Sequence, residues 1–252
     1  MDIQNFNQQN SHPRDEFVTF NEQEHIYTVN GKEMISVTAL VSSFFERFDA
    51  EKTAQRMAAK NHCSPEEIMR QWEEKSLLAR KLGTEMHASI EGYFMGNPIE
   101  NVPADVRPLF SQFAADYNLQ PYRTEWAIYD EDSGVAGTLD FLELKDGVYT
   151  IYDWKRSEKI LYDGAVEKIS RFGKMALHPI QNIPDTNFWH YALQLSMYRY
   201  ILEKNYGIEV TLCRLGVFHP SYTTYHVVDV PYLKKEVAML LSASRPCEPQ
   251  QH

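Results

Sequence analysis

The chain has 252 residues, 43% of them hydrophobic and 13% aromatic, which is enough to build one large domain or a domain with a helical elaboration. No apolar run approaches the length of a membrane span, and the first residues lack the charged-then-apolar pattern of a secretory signal. Three widely spaced cysteines, Cys63, Cys213 and Cys247, argue against a disulfide framework and against a four-cysteine zinc or iron–sulfur site, so a reducing cytoplasm is the expected compartment.

The N-terminal stretch 1–16 is polar and is expected to be flexible. "FVTFNEQEHIYTVNGKEMISVT" reads as short strands with a hairpin turn at Asn30-Gly31. Ser36 or Thr38 then caps a helix through "ALVSSFFERF", and Asp49 starts a second. Ser64-Pro65-Glu66-Glu67 is a helix start with a serine cap and proline at the first helical position. The helical pattern continues through "IMRQWEEKSLLARKLGTEMHASIEGYFMG", with a break or bend expected near Gly83. Pro103 is expected to open the next helix, "ADVRPLFSQFAADYN".

Composition changes after Pro121. "YRTEWAIYD", "VAGTLDFLEL" and "VYTIYDW" are strand-like runs separated by the turn sequences "EDSG" and "KDG", which predicts an antiparallel meander. A long irregular stretch follows, then the amphipathic helix "FWHYALQLSMYRYILEKNYG" ending at Gly207. Two further strands and a helix from Pro231 complete a mixed α/β (α+β) layout. The expected division is a hairpin and helical region over 17–120, a core over 121–245 and a flexible tail over 246–252.

Chemistry concentrates at the end of the meander. Asp153 and Lys155, one residue apart on a strand, should project together while Trp154 faces the other way. Such a pair is either a surface ion pair or half of an active site. Asp140 is expected near the end of the neighbouring strand. Two carboxylates and a lysine converging on one point repel unless a cation joins them, and hard cations such as Mg2+ or Mn2+ take oxygen ligands of this kind. His87 and Glu91 share a helix face and could join them. Taken singly, each residue also reads as structural or solvent-facing; the conjunction is what points to a site. The formal net charge of -10 weighs against a nucleic-acid partner. The stretch from Arg156 to Lys174 is locally basic, with Arg156, Lys159, Lys168, Arg171 and Lys174 against Glu158, Asp163 and Glu167, and on its own it reads as a solvated face.

The series "GTEMHASIE", Glu125, "GVAGTLDF", "IYDWKRS" and "YALQLSMYRYIL", spanning roughly 83–198, resembles the PD-(D/E)XK nuclease superfamily, and within it the RecB-type exonuclease branch. The resemblance implies a restriction-endonuclease-like core. It makes His87, Asp140 and Asp153 metal ligands, with the Trp154 carbonyl assisting, and Lys155 the catalytic lysine, with Glu91 at the catalytic centre. Gln194 and Tyr198 match a Gln-x-x-x-Tyr motif beside the site. Together with Arg156, Ser157 and Glu125 they are expected to contact substrate. Aromatic residues such as Tyr93, Phe94, Trp189 and Tyr191 could stack unpaired bases, although core packing is the plainer reading of each. The implied activity is Mg2+- or Mn2+-dependent hydrolysis of DNA, single-stranded or at ends, in phage-type replication, recombination or repair. The cysteine cluster of the iron–sulfur members is missing from the sequence, so no such cluster is expected. An inactive binding module of the same fold, a structure-specific endonuclease and an acidic interaction factor are the competing readings.

Overall fold

A computed structural model describes residues 6–244. The predicted tail over 246–252, and Cys247 with it, lies outside the described residues. Of the stretch 1–16 expected to be flexible, residues 1–5 lie outside the described residues, and the rest differs from expectation. Phe6–Gln9 form the one-turn helix α1, and Pro13–Phe17 form a tight helical turn capped by His12. Both are tied down by side chains. Asn7 exchanges hydrogen bonds with Thr124 (2.9 and 3.1 Å), Asn10 donates to the Tyr122 carbonyl, and the Asp15 carboxylate accepts from Arg123 and from the Trp126 indole, each at 2.8 Å. Polar composition suggested flexibility, but Asn7, Asn10 and Asp15 each find a partner among residues 122–126, and Phe6 is buried.

Strands β1 (Val18–Asn21), β2 (Ile26–Val29) and β3 (Lys32–Ser36) follow. Asn30 and Gly31 both have positive φ, +50° and +77°, as the predicted two-residue hairpin requires. Ser36 caps α2 (Val37–Ser43), which ends earlier than predicted. Asp49 caps α3 (Ala50–Asn61), and Ser64 caps α4 (Pro65–Phe94). The expected interruption of α4 at Gly83 does not occur. A mid-helix glycine costs only about 1 kcal/mol. The two ends are independently held, Ile68 against Ala54 and Ala58 of α3, and Met86, Ile90 and Phe94 in the body of the protein. Helix α5 (Arg107–Tyr117) starts after Pro103 rather than at it, because the Pro103 carbonyl accepts the N–H groups of both Val106 and Arg107 in a preceding turn.

The meander forms as predicted: β4 (Pro121–Asp130), β5 (Val135–Lys145) and β6 (Val148–Lys155), each antiparallel to the next. The stretch read as irregular holds a small hairpin, β7 (Leu161–Tyr162) and β8 (Ala165–Val166), turned at Asp163-Gly164. Helix α6 (Asn187–Ile201) continues into a wider π-helical turn, Leu202–Tyr206, before Gly207. It is buried on most of its sides rather than amphipathic, because α2 and α7 cover what the sheet does not. Strands β9 (Val210–Val217) and β10 (His226–Asp229) precede α7 (Lys234–Ser244). That helix begins three residues after Pro231, since the Ser196 hydroxyl engages the Pro231 carbonyl and the Leu233 N–H and holds the approach extended.

The sheet has eight strands in the order β1-β2-β3-β5-β6-β9-β10, with β4 on the other edge of β5. It is mixed: β3 pairs β5 and β6 pairs β9 in parallel, while the other pairs are antiparallel. One face packs on α2, α6 and α7, around Ile151, Leu193, Leu195 and Leu240. The other packs on α4 and α5 around a dense aromatic cluster of Phe110, Phe113, Phe141, Tyr152, Trp154 and Phe218. This is the predicted mixed α/β architecture, a central mixed sheet flanked by helices. Among the described residues no helix is long and apolar enough to cross a membrane.

Candidate metal and catalytic centre

The pairing of β5 creates the site. On one edge β5 pairs with β3 at Val135 and Ala136, and with β6 only from Phe141 onward. Residues 137–140 have no partner strand on that edge. Strand β6 leaves β5 at Tyr152 and runs on beside β9 as far as Lys155. A fork therefore opens in the middle of the sheet. Buried main-chain groups seek partners, and here a side chain supplies one: the Asp140 carboxylate accepts the Trp154 N–H at 2.7 Å. Asp140 thus lies in the middle of β5, not near its end as the sequence suggested. It faces the site because the ladder stops beside it.

Asp153 and Lys155 project together, with Lys155 Nζ 2.5 Å from Asp153 Oδ2. Trp154 points the other way, into the aromatic cluster. Helix α4 approaches the fork with His87, whose Nε2 lies 2.7 Å from the Trp154 carbonyl oxygen. A carbonyl only accepts, so Nε2 carries the proton and donates, which leaves Nδ1 as the basic nitrogen. That atom is 3.5 Å from Asp140 Oδ2. The Trp154 carbonyl, expected as a metal ligand, is thus engaged by His87 in this arrangement.

Glu125 completes the group. The register of β4 against β5 places it opposite Asp140. Its φ of +44° is in the left-handed region, unusual for a glutamate inside a strand. His87, Glu125 and Asp140 each offer a ligand atom within 4.8 Å of the others. The sequence placed Glu125 among substrate contacts; the structure sets it beside His87 and Asp140, where it could also hold an ion. Asp153, expected as a ligand, lies outside that tight triad and is paired with Lys155, though it shares the same cavity.

The cavity, about 690 Å³, is lined by His87, Glu91, Glu125, Asp140, Asp153, Lys155, Gln194 and Tyr198, with Tyr27 and Thr138 beside them. Arg156 and Ser157 are not part of the lining. Arg156 turns away to pair with Asp105, and the Ser157 hydroxyl accepts the Lys159 N–H at 3.1 Å. Gln194 donates to the Tyr198 hydroxyl at 3.0 Å. Gly137 lets Tyr198 approach β5, for a Cβ there would meet Tyr198 Cε1 at 2.7 Å. Among the aromatics, Phe94 is buried and Tyr93 packs beside it in the core cluster. The Trp189 indole donates to the Lys168 carbonyl. Tyr191, given little weight on sequence, sits with its ring centroid 4.5 Å from Lys155 Nζ. Its signal was present in the spacing: Tyr191, Gln194 and Tyr198 fall on one helical stripe. Tyr27, which bonds Thr138 at 3.0 Å, had no such signal.

The electrostatics are those of crowded carboxylates. The Glu125 side chain opens onto the cavity, yet the surrounding protein takes it out of bulk water. Burial first, then the charges of Asp140, Glu91 and Asp153, push its pKa up to about 9. Glu91 is raised by burial. Burial also raises Asp153, only partly offset by Lys155. For Lys155 burial acts downward, but Asp153 and Asp140, with Tyr191, outweigh it and hold the group as an ammonium above the ordinary lysine value. Both Asp153 oxygens are buried, and despite the nearby ammonium neither has an aligned hydrogen bond among the described residues. Carboxylates of Glu125, Asp140 and Asp153 gathered around one cavity, the last without an aligned hydrogen bond, beside a basic imidazole nitrogen fit a hard divalent cation.

No protein-family description matches this chain, and no curated protein matches it. Among solved structures, 21 chains match. One, solved as SSO0001, is 14% identical over 83% of this chain and 73% of its own, with a TM-score of 0.35. Another, from Eubacterium rectale and named a "putative exonuclease", is 12% identical over 83% of this chain and 77% of its own, with a TM-score of 0.41.

Proposed function

We propose that the protein is a metal-dependent nuclease of the PD-(D/E)XK type that hydrolyses DNA phosphodiesters, acting from ends as an exonuclease in phage-type replication, recombination or repair. The observation that carries this reading is the convergence of His87, Glu125 and Asp140 within 4.8 Å, in one cavity with the Asp153–Lys155 pair. The motif resemblance between 83 and 198 supports it independently.

His87 Nδ1 and the carboxylates of Glu125 and Asp140 would hold Mg2+ or Mn2+, with Asp153 close by. A bound cation of this kind polarises a phosphoryl oxygen and lowers the pKa of bound water. Lys155 is the only lysine in the lining, and no arginine joins it among the described residues. It is therefore the fixed positive group that can donate to a non-bridging oxygen of the scissile phosphate. Asp153 and the Tyr191 face keep its ammonium in place. Gln194 and Tyr198, bonded to each other, line the same cavity and would orient the strand. In the reaction a water oxygen bonds to phosphorus as the bond from phosphorus to the 3′ oxygen breaks. The water gives up a proton to the carboxylate cluster, and the leaving oxygen takes one from solvent. The products are a 5′-phosphate and a 3′-hydroxyl.

The test is cleavage of end-labelled single- and double-stranded DNA, linear and circular, with EDTA, Mg2+ or Mn2+, alongside Lys155→Ala. The expected result is metal-dependent loss of linear strands, intact circles, and a fall of at least about 100-fold in the variant. Cutting of circles would make the enzyme an endonuclease. Undiminished activity in a pure, folded Lys155→Ala preparation would refute the assignment of the site.

A further inference from the structure

The most exposed large apolar side chains among the described residues are Phe172 (84%) and Ile169 (81%). Both lie on the segment that leaves β6 directly after Lys155 and returns to α6. Its architecture is ordered rather than loose. The Gly173 N–H donates to the Ser170 carbonyl at 3.0 Å and the Lys174 N–H to the Ser170 hydroxyl at 3.2 Å, which closes a turn with Arg171 and Phe172 at its tip. The Arg171 guanidinium lies 4.0 Å over the ring of Tyr162, itself exposed, and pairs with Glu167 at 2.7 Å. At the base Lys174 pairs with Glu46, and the Leu177 N–H donates to the Phe44 carbonyl at 2.7 Å.

The segment is also joined to the catalytic centre. Lys168 lies over Phe188, 5.3 Å from its centroid, and its carbonyl accepts the Trp189 indole. Tyr191, one helical turn beyond Phe188, carries Lys155 on its ring. Lys168 on Phe188 and Lys155 on Tyr191 are thus cation–ring contacts on adjacent turns of α6, the first made by the segment and the second by the lysine of the cavity. Lys159 and Lys168 have no carboxylate within ion-pair reach among the described residues. In a chain of net charge -10, this is a place where unpaired positive charge and exposed aromatic surface coincide.

We propose that this segment, 157–174, is a nucleic-acid contact: Phe172 and the Tyr162–Arg171 stack offer platforms for the bases of an unpaired strand, Ile169 adds apolar contact beside them, and Lys159 and Lys168 meet its phosphates on the way to Lys155. Single strands are held by this combination of stacking faces and cations tracking the backbone. A second copy of the chain fits less well, because a twofold contact through this surface would bring together two patches that each carry the unpaired Lys159 and Lys168. The proposal rests on the nuclease reading for its biological sense, but its test does not need turnover.

The test compares unaltered protein with Phe172→Ala/Ile169→Ser, both sites being exposed and free of core contacts. Binding of a fluorescein-labelled oligothymidylate is followed by anisotropy in EDTA, and hydrolysis of bis(p-nitrophenyl) phosphate, a diester too small to reach the segment, is followed with Mn2+. Binding should weaken about tenfold or more while hydrolysis of the small diester is unchanged. Lys159→Ala/Lys168→Ala should reduce the salt dependence of binding, lowering the slope of log K against log salt by about 1.4 for two phosphate contacts on a single strand. Equal oligonucleotide affinity in the Phe172→Ala/Ile169→Ser protein overturns the proposal. So does a fall in its sedimentation coefficient, which would make the segment an interface between copies, or a selective loss of binding to phosphatidylserine vesicles. If the unaltered protein hydrolyses neither DNA nor the small diester, the nuclease reading fails, and the anisotropy result still decides on the segment.

Discussion

Glu125 offers a direct test, because its backbone and its carboxylate should pull stability in opposite directions. Its φ of +44° places a residue with a Cβ in the left-handed region, at a cost of about 1–2 kcal/mol. Glycine would remove that cost, but its greater freedom in the unfolded chain gives back about 0.5–1 kcal/mol. The net backbone gain for Glu125→Gly is therefore about 0–1.5 kcal/mol. For a chain of this size that corresponds to a rise in Tm of up to about 6 °C. Glu125→Ala keeps the Cβ and the strain, so the difference between the two variants isolates the backbone contribution. Both remove the carboxylate whose proton affinity the charges of Asp140, Glu91 and Asp153 raise, so neither should be destabilised through charge. The cation response should move the other way. A ligand at 100 times its Kd adds about 2.7 kcal/mol to the folded state, or roughly 5–11 °C here. Unaltered protein should show that rise with Mn2+, and both variants should lose most of it. Thermal melts in EDTA and in excess Mn2+ supply all six values. A Glu125→Gly protein that melts below Glu125→Ala in EDTA would refute the strain argument. Variants that keep the full Mn2+ response would remove Glu125 from the ligand cluster.

Other expectations follow from the same geometry. Tyr191→Leu should lower the turnover number about 2- to 30-fold by taking the ring from beneath the Lys155 ammonium, whereas Tyr191→Phe should preserve it; this is read from steady-state kinetics with the small diester. Gly137→Ala should cost about 1–3 kcal/mol, because its Cβ would press on Tyr198 Cε1, and a urea titration measures the loss. Asp15→Asn should destabilise the protein by about 1.5–3 kcal/mol at neutral pH, by weakening the charge-assisted bonds from Arg123 and Trp126. Burial alone would raise the Asp15 pKa, but the His12 N–H, Trp126 and Arg123 outweigh it and hold it below the usual value. Its contribution is then fully present above the unfolded value of about 3.9 and is lost as pH falls through the lower folded value. The stability gap between the two proteins should accordingly close in that acid range, and denaturant titrations across pH would show it.

The local rules that sequence obeys carried much of the fold. Asn30-Gly31 and "KDG" are turn chemistry in the chain and turns in the structure, and the serine and aspartate caps at Ser36, Asp49 and Ser64 start the helices they were expected to start. Where packing competes with local preference, sequence was a poorer guide. Gly83 looked like a break, yet α4 passes through it because both ends are anchored. Residues 6–16 looked flexible, yet they fold against β4 because Arg123, Thr124 and Trp126 supply partners more than a hundred residues away. The Asp163-Gly164 hairpin was legible as a turn dipeptide but was hidden within a segment of otherwise irregular composition.

The site divides in the same way. Period-two alternation was enough to put Asp153 and Lys155 on one side and Trp154 on the other, and helical spacing was enough to pair His87 with Glu91 and Gln194 with Tyr198, since these relations are set by backbone geometry over a few residues. The fork between β5 and β6, the place of Glu125 opposite Asp140, the donation from His87 to the Trp154 carbonyl and the Tyr191 face under Lys155 depend on strand register and on helices arriving from opposite sides of the sheet. Those arrangements are fixed by burial summed over the whole core, which no short stretch of the chain contains, and so only the tertiary structure could decide which of the acidic residues meet.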